Sequence, residues 1–143
     1  MVALAPISLT ASITLDPRHS GTILVANAAA GLTATLPAAT GSGRKYELVV
    51  GTTITSNNLI VQVANADDVM TGVALFASDN TADASVAFET ASTTDTITMD
   101  GSTKGGIKGD RIELQDIADN LWYVRVIGSA TGTEVTPFSA AVS

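Results

Sequence analysis

A period of two runs through most of this chain and constrains its fold more than any other feature. Leu32-Thr33-Ala34-Thr35-Leu36 alternates apolar and hydroxyl side chains. Tyr46, Leu48 and Val50 share one face against Glu47 and Val49, and Leu59, Val61 and Val63 are separated by Ile60 and Gln62. Trp122, Val124 and Val126 alternate with Tyr123, Arg125 and Ile127. Val86 with Phe88, Ile97 with Met99, and Ile112 with Leu114 repeat the pattern over shorter runs. Successive side chains of a strand point to opposite faces, so the alternation predicts half-buried strands. The abundant threonines agree, because β-branched side chains lose less freedom on a pleated surface than in a helix.

Turn chemistry falls between these runs. Thr40-Gly41-Ser42-Gly43 separates the Leu36 run from the Tyr46 run, and Ser56-Asn57-Asn58 precedes Leu59. Asp100-Gly101 after Met99 is a hairpin signal. Gly105-Gly106 and Gly109-Asp110 frame the approach to Ile112, and Pro37 and Pro137 fit strand ends. Three stretches have weak helical character: 69–77, interrupted by Gly72, 116–120 as a single turn, and 26–30 before Gly31. Many short strands with regular turns predict an all-β fold: one compact domain, a β-sandwich or jelly roll or small barrel, with an extended N-terminal arm. Residues 1–20 form the arm or a first strand, and 21–143 form the β domain.

The arm can be read in two ways. Residues 1–15 are apolar and β-prone, with Pro6 unsuited to a central strand. They can supply a first strand to the domain's own sheet, or add to a neighbouring subunit by strand pairing through Val2, Leu4, Ile7 and Leu9. The tail around Phe138 is a comparable edge segment. The stretch 1–15 lacks the basic start of a secretory signal and is read as mature protein.

Composition narrows the chemistry. At 143 residues a single domain can bury about two-thirds of its surface, enough for a core without metal. Seven basic against fourteen acidic residues give a net charge of −7, which disfavours nucleic acid and anionic membrane surfaces as partners. With no cysteine, disulfides and thiolate metal sites are excluded. Asp16, His19 and Ser20 are the residue types of a hydrolase triad, but they crowd one short turn, whereas triads converge from separate elements. Asp67 and Asp68 are adjacent and would face opposite ways on a strand. The stretch 79–83 offers oxygen ligands without the spacing of a calcium loop. Gly105-Gly106-Ile107-Lys108-Gly109-Asp110 places a lysine among glycines but lacks the Gly-Lys-Ser/Thr ending of a phosphate loop. Trp122 continues the face of Val124 and Val126 and is expected in the core. Tyr123 and Arg125 then face outward or into a subunit interface. The expectation is a protein without enzymatic activity or cofactor.

Five stretches occur together in order: Leu36-Pro37-Ala38-Ala39-Thr40-Gly41-Ser42-Gly43, Tyr46-Glu47-Leu48-Val49-Val50-Gly51, Val63-Ala64-Asn65-Ala66-Asp67-Asp68-Val69-Met70, Gly105-Gly106-Ile107-Lys108-Gly109-Asp110-Arg111-Ile112-Glu113-Leu114 and Leu121-Trp122-Tyr123-Val124-Arg125. Over roughly residues 20 to 140 this set resembles the capsid decoration (cement) proteins of tailed bacteriophages. The resemblance implies a β protein on the outer capsid surface of the virion, assembled in the host cytoplasm. It implies a homotrimer that bridges and stabilises subunits of the major capsid protein, without nucleic acid or membrane as partner. Val2, Leu4, Ile7, Leu9, Tyr123 and Phe138 are the expected partner-binding residues. A tail, fibre or head-spike module that binds a host surface is the alternative.

Overall fold

The computed structural model describes residues 4–80, 82 and 85–143, which form twelve strands in two packed sheets. The first six strands are β1 (Ile7–Leu9), β2 (Ile13–Thr14), β3 (Ile23–Ala26), β4 (Leu32–Thr35), β5 (Lys45–Val50) and β6 (Leu59–Gln62). They alternate between the sheets. β1, β3 and β5 lie parallel in one, and β2, β4 and β6 lie parallel in the other. Parallel neighbours need a crossover, and here each crossover is a strand of the opposite sheet instead of a helix. The chain therefore winds as a flattened coil around its own core. This is an all-β sandwich, as the alternation predicts. Its parallel ladders distinguish it from a jelly roll, in which hairpins keep neighbours antiparallel.

The second half closes the coil. β7 (Val69–Ser78) crosses to the far side of the first sheet and β8 (Ser85–Glu89) hairpins back along it. β9 (Thr96–Met99) returns to the second sheet beside β6. β10 (Arg111–Ala118) and β11 (Leu121–Ala130) form a long hairpin that fills the gap between β5 and β7. β12 (Phe138–Ser139) ends the chain against β9. The sheet orders are β1-β3-β5-β10-β11-β7-β8 and β12-β9-β6-β4-β2. Residues 69–77, weakly helical in sequence, are strand. Gly72 has φ 155°, and a Cβ there would lie 1.7 Å from the Val124 carbonyl oxygen, so only glycine lets β7 close on β11. Residues 116–120 are the end of β10 and its turn. Asp100-Gly101 is a turn within a crossover between sheets, because β9 and β10 lie in different sheets.

The N-terminal segment belongs to the domain. β1 pairs with β3 and β2 with β4, and Leu9 and Leu15 are buried in the common core. Of the two readings of this segment, residues 7–15 follow the first, strands in the domain's own sheets, and Leu9, expected to contact a neighbour, has its packing partners in its own chain. Phe138 is likewise buried and is a core residue. Val2 lies outside the described residues. At the centre, the Tyr46 and Trp122 rings pack tilted at 58° with centroids 5.8 Å apart. The Tyr46 hydroxyl donates to the Asp16 carbonyl at 3.2 Å.

Loops that run between the sheets are pinned by buried carboxylates. Asp116, at the end of β10, accepts from the backbone N–H groups of Thr40, Gly41 (2.7 Å) and Ser42 (3.0 Å) and from the Ser42 hydroxyl (2.6 Å). Asp110 accepts from Gly106 and Ile107 through one oxygen, at 2.9 and 3.1 Å, and from the Ser129 N–H through the other. Asp95 receives Ala141 and Val142 and Asp68 receives Ala39, while the half-buried Asp100 receives Ser102 and Lys104 of its own turn. The glycine-rich stretch at 105–110 is thus a true N–H cradle, and the chain's own Asp110 fills it. Gly128 makes room for that carboxylate: a Cβ there would sit 2.4 Å from the Asp110 carboxyl carbon.

The balance of burial and donors differs among these groups. Burial alone raises the Asp116 carboxyl, but the donors from Ser42, Thr40 and Gly41 outweigh it and hold the group below its ordinary value. Asp100 is lowered in the same way by Lys104, Ser102 and Thr103. At Asp110 burial prevails over its donors and raises the group. A lowered carboxylate adds stability that is present above its unfolded value, near 4, and is lost as pH falls through the folded value. Asp110 has the opposite sign: the stability its proton adds is full below that unfolded value and fades as pH rises through the raised one. Asp116→Ala is expected to lower unfolding free energy by about 2–4 kcal/mol at pH 7. In urea titrations the gap from the intact chain stays level down to about pH 5 and narrows below about pH 4. A gap that persists unchanged at pH 3 would exclude this role for the carboxylate.

Candidate interaction surfaces

The two outer faces of the sandwich are chemically unlike. On the seven-stranded sheet the register lays out three rows. The first runs Val25, Val49, Arg111, Ile127, Leu75, Ala87. The second runs Ile23, Glu47, Glu113, Arg125, Val73, Glu89, and the third Lys45, Gln115, Tyr123, Thr71. Leu75 and Ile127, side by side on β7 and β11, are 43% and 48% exposed, and Val73 and Tyr123 are also open to solvent. Outward positions of a sandwich strand are usually polar, so a contiguous Val73, Leu75, Ile127 patch departs from what solvent contact alone requires. Two ion pairs lie beside it, Arg111 with Glu47 and Arg125 with Glu113 at 2.6 Å.

The five-stranded sheet presents hydroxyls and amides instead. Thr14, Thr35, Gln62 and Ser139 share one row on β2, β4, β6 and β12, interrupted on β9 by Thr96, which is buried, with Thr33, Ile60 and Thr98 in the next row. A shallow groove of about 210 Å³ runs along this face between Ser12, Thr14, Thr33 and Thr35. A second pocket, of about 280 Å³, opens at the end of β7 between Met70, Thr90 and Leu121.

The expected partner-binding residues are dispersed. Leu4 is 68% and Ile7 38% exposed, at the edge where β1 ends the seven-stranded sheet. Tyr123 faces outward from β11, as its alternation with buried Trp122 requires. Leu9 and Phe138 are interior, so the structure does not bring the predicted set into one surface. Val73, Leu75 and Ile127 were not among the expected contacts. Their signal is an apolar residue at the outward positions of runs whose inward positions are also apolar, as in Val126-Ile127.

The chemical candidates have local roles. Asp16 caps the 3-10 turn Pro17–His19: its carboxylate accepts from the Arg18 N–H, and His19 Nδ1 accepts from the Asp16 N–H at 3.0 Å. The Arg18 side chain donates to the same carboxylate and holds it at about 2. Asp68 is buried on Ala39, whereas Asp67 is exposed. Asp79 accepts from the Gly132 N–H at 3.0 Å, and Asp83 lies outside the described residues. Among the described residues no three acidic or histidine side chains converge in a metal-binding cluster.

The exposed patch is expected to be dispensable for folding. Leu75→Thr and Ile127→Thr place strand-compatible side chains, and each should shift the unfolding free energy of the separate monomer by no more than about 0.5 kcal/mol in urea at nanomolar concentration, where contacts between copies are dissociated. A loss of several kcal/mol would place these side chains in the core.

Comparison of the chain with protein-family models, with curated protein sequences and with solved structures returned no match.

Proposed function

We propose that this chain is a structural protein of a tailed-bacteriophage virion, which decorates the outer capsid surface and stabilises it by bridging major capsid protein subunits. The observation that carries this reading, beside the sequence resemblance, is the β1 edge. Among the described residues β1 is the last strand of its sheet and pairs with β3 alone, and Ile7 at its start and Leu4 just before it stand exposed. An edge strand presents unpaired backbone donors and acceptors, and a neighbouring chain can extend the sheet there. A few hundred Å² of apolar burial at such a contact contributes several kcal/mol at about 25 cal/mol per Å², before association costs. Repeated over a lattice, modest contacts of this kind hold a shell together.

A tail, fibre or head-spike module that binds a host surface is the second reading. It is favoured by the hydroxyl-lined groove at Ser12, Thr14, Thr33 and Thr35, whose donors and acceptors suit a polar ligand such as a glycan.

Because Leu9 and Leu15 are core residues, the informative truncation removes only residues 1–6. That variant, and Leu4→Glu in the full chain, should keep the β-sheet circular dichroism of the intact protein. Both should lower its copy number on purified particles at least about tenfold, counted against the major capsid protein by quantitative mass spectrometry. Full decoration by both variants would remove the β1 edge from the mechanism, and a handful of copies of the intact chain per particle would favour the second reading.

A further inference from the structure

The outer face of the seven-stranded sheet has a pattern of charge that the rest of the molecule lacks. Its charged residues are Lys45, Arg111 and Arg125 against Glu47, Glu89 and Glu113, three of each sign. The face is therefore neutral, and the whole net charge of −7 lies elsewhere on the chain. Two copies of an acidic protein repel over most of their surfaces, but not here. A cationic partner would be drawn to the acidic remainder and not to this face.

We infer that this face is a self-association surface and that its occupant is a second copy of the chain, packed face to face about a two-fold axis. Four of the six charges are already neutralised in place, Arg111 by Glu47 and Arg125 by Glu113, so covering them leaves no unpaired ion. The other two, Lys45 and Glu89, make no ion pair among the described residues. They lie on β5 and β8, two strands to either side of β11. An axis along β11 sets β5 of one copy over β8 of the other. Lys45 and Glu89 stand one row apart, about 7 Å along the strands, a gap two long side chains close. The axis thus brings Lys45 to the partner's Glu89, twice by symmetry. Leu75, Ile127 and Val73 lie beside the axis and form the apolar centre.

The size of the face is adequate. Five strands from β5 to β8 span about 24 Å across and about 25 Å along, roughly 600 Å² of flat sheet per copy. Side-chain relief brings this toward the ~800 Å² per partner of an ordinary stable interface.

Sedimentation equilibrium of the purified full chain, away from any capsid, tests the pairing independently of decoration. The expected mass is twice 14.5 kDa at micromolar concentration. Leu75→Lys with Ile127→Lys should give a monomer with unchanged circular dichroism, while Thr35→Lys with Thr98→Lys on the opposite face should leave the pair intact. Lys45→Glu and Glu89→Lys each place like charges together at two symmetric contacts and should weaken the pair about tenfold or more, and the double exchange should restore it. A monomeric intact chain, the trimer that the resemblance implies, or a pair indifferent to the Leu75 and Ile127 changes would overturn the inference. So would face variants that stay monomeric like the intact chain but lose capsid decoration, since the occupant would then be the capsid.

Discussion

Carboxylates that collect backbone N–H groups are the interaction on which the rest of this structure depends. A chain that passes repeatedly from one sheet to the other spends many residues in irregular crossovers, and the backbone donors of those crossovers need acceptors. Asp116 supplies them for 40–42, Asp110 for 106–107 and 129, Asp95 for 141–142, and Asp68 for Ala39. Asp116, Asp95 and Asp68 are remote in sequence from these groups, and Asp110 ties its own turn to Ser129 on the next strand. The aspartates therefore do what hairpin hydrogen bonds do in an antiparallel meander: they fix where one strand ends and the next begins. Glycine is required around them for the same reason, as Gly128 shows against Asp110.

Much of the strand content was legible because burial here follows the simplest rule. Tyr46, Leu48 and Val50, or Trp122, Val124 and Val126, alternate so cleanly that their inward face could be read directly from the sequence. What the alternation cannot encode is which strand lies beside which. A parallel coil and an antiparallel jelly roll ask the same of each strand, namely one apolar face, and differ only in long-range pairing. The hydroxyl acceptors and aspartates that settle the matter look in sequence like ordinary turn residues. Asp100-Gly101 has the chemistry of a hairpin and serves a crossover. Residues 69–77 misled for a local reason: small Gly72 and Ala74 take inward positions while Val73 and Leu75 take outward ones, so the period of two is obscured just where β7 presses on the β11 backbone.

The candidate surfaces were legible only in part. Leu4, Ile7 and Tyr123 could be singled out because each is an apolar or aromatic residue at a place where solvent is expected. Leu9 and Phe138 share that local appearance and are interior, because the packing of a terminal strand against a sheet is a tertiary fact. Leu75 and Ile127 escaped notice for the converse reason: an apolar residue inside an apolar run looks like core until its orientation is known. Their separation from Thr33, Thr35 and Thr98, on the opposite side of the sandwich, is what makes the molecule two-sided.

The alternation of the first six strands between sheets also bears on how this molecule yields to a pull. Tension on its N-terminus meets β1 in one sheet, then β2 in the other, then β3 in the first again. No single ladder can unzip ahead of the rest, since each strand released from one sheet leaves its successor still clamped in the opposite one. The load is handed back and forth across the core, and each turn of the coil that unwinds exposes apolar residues on both sides, Leu9 and Leu15 in the first. β1 and β2 are short edge strands of opposite sheets, so from this end the coil opens one strand at a time, alternately from either side of the core.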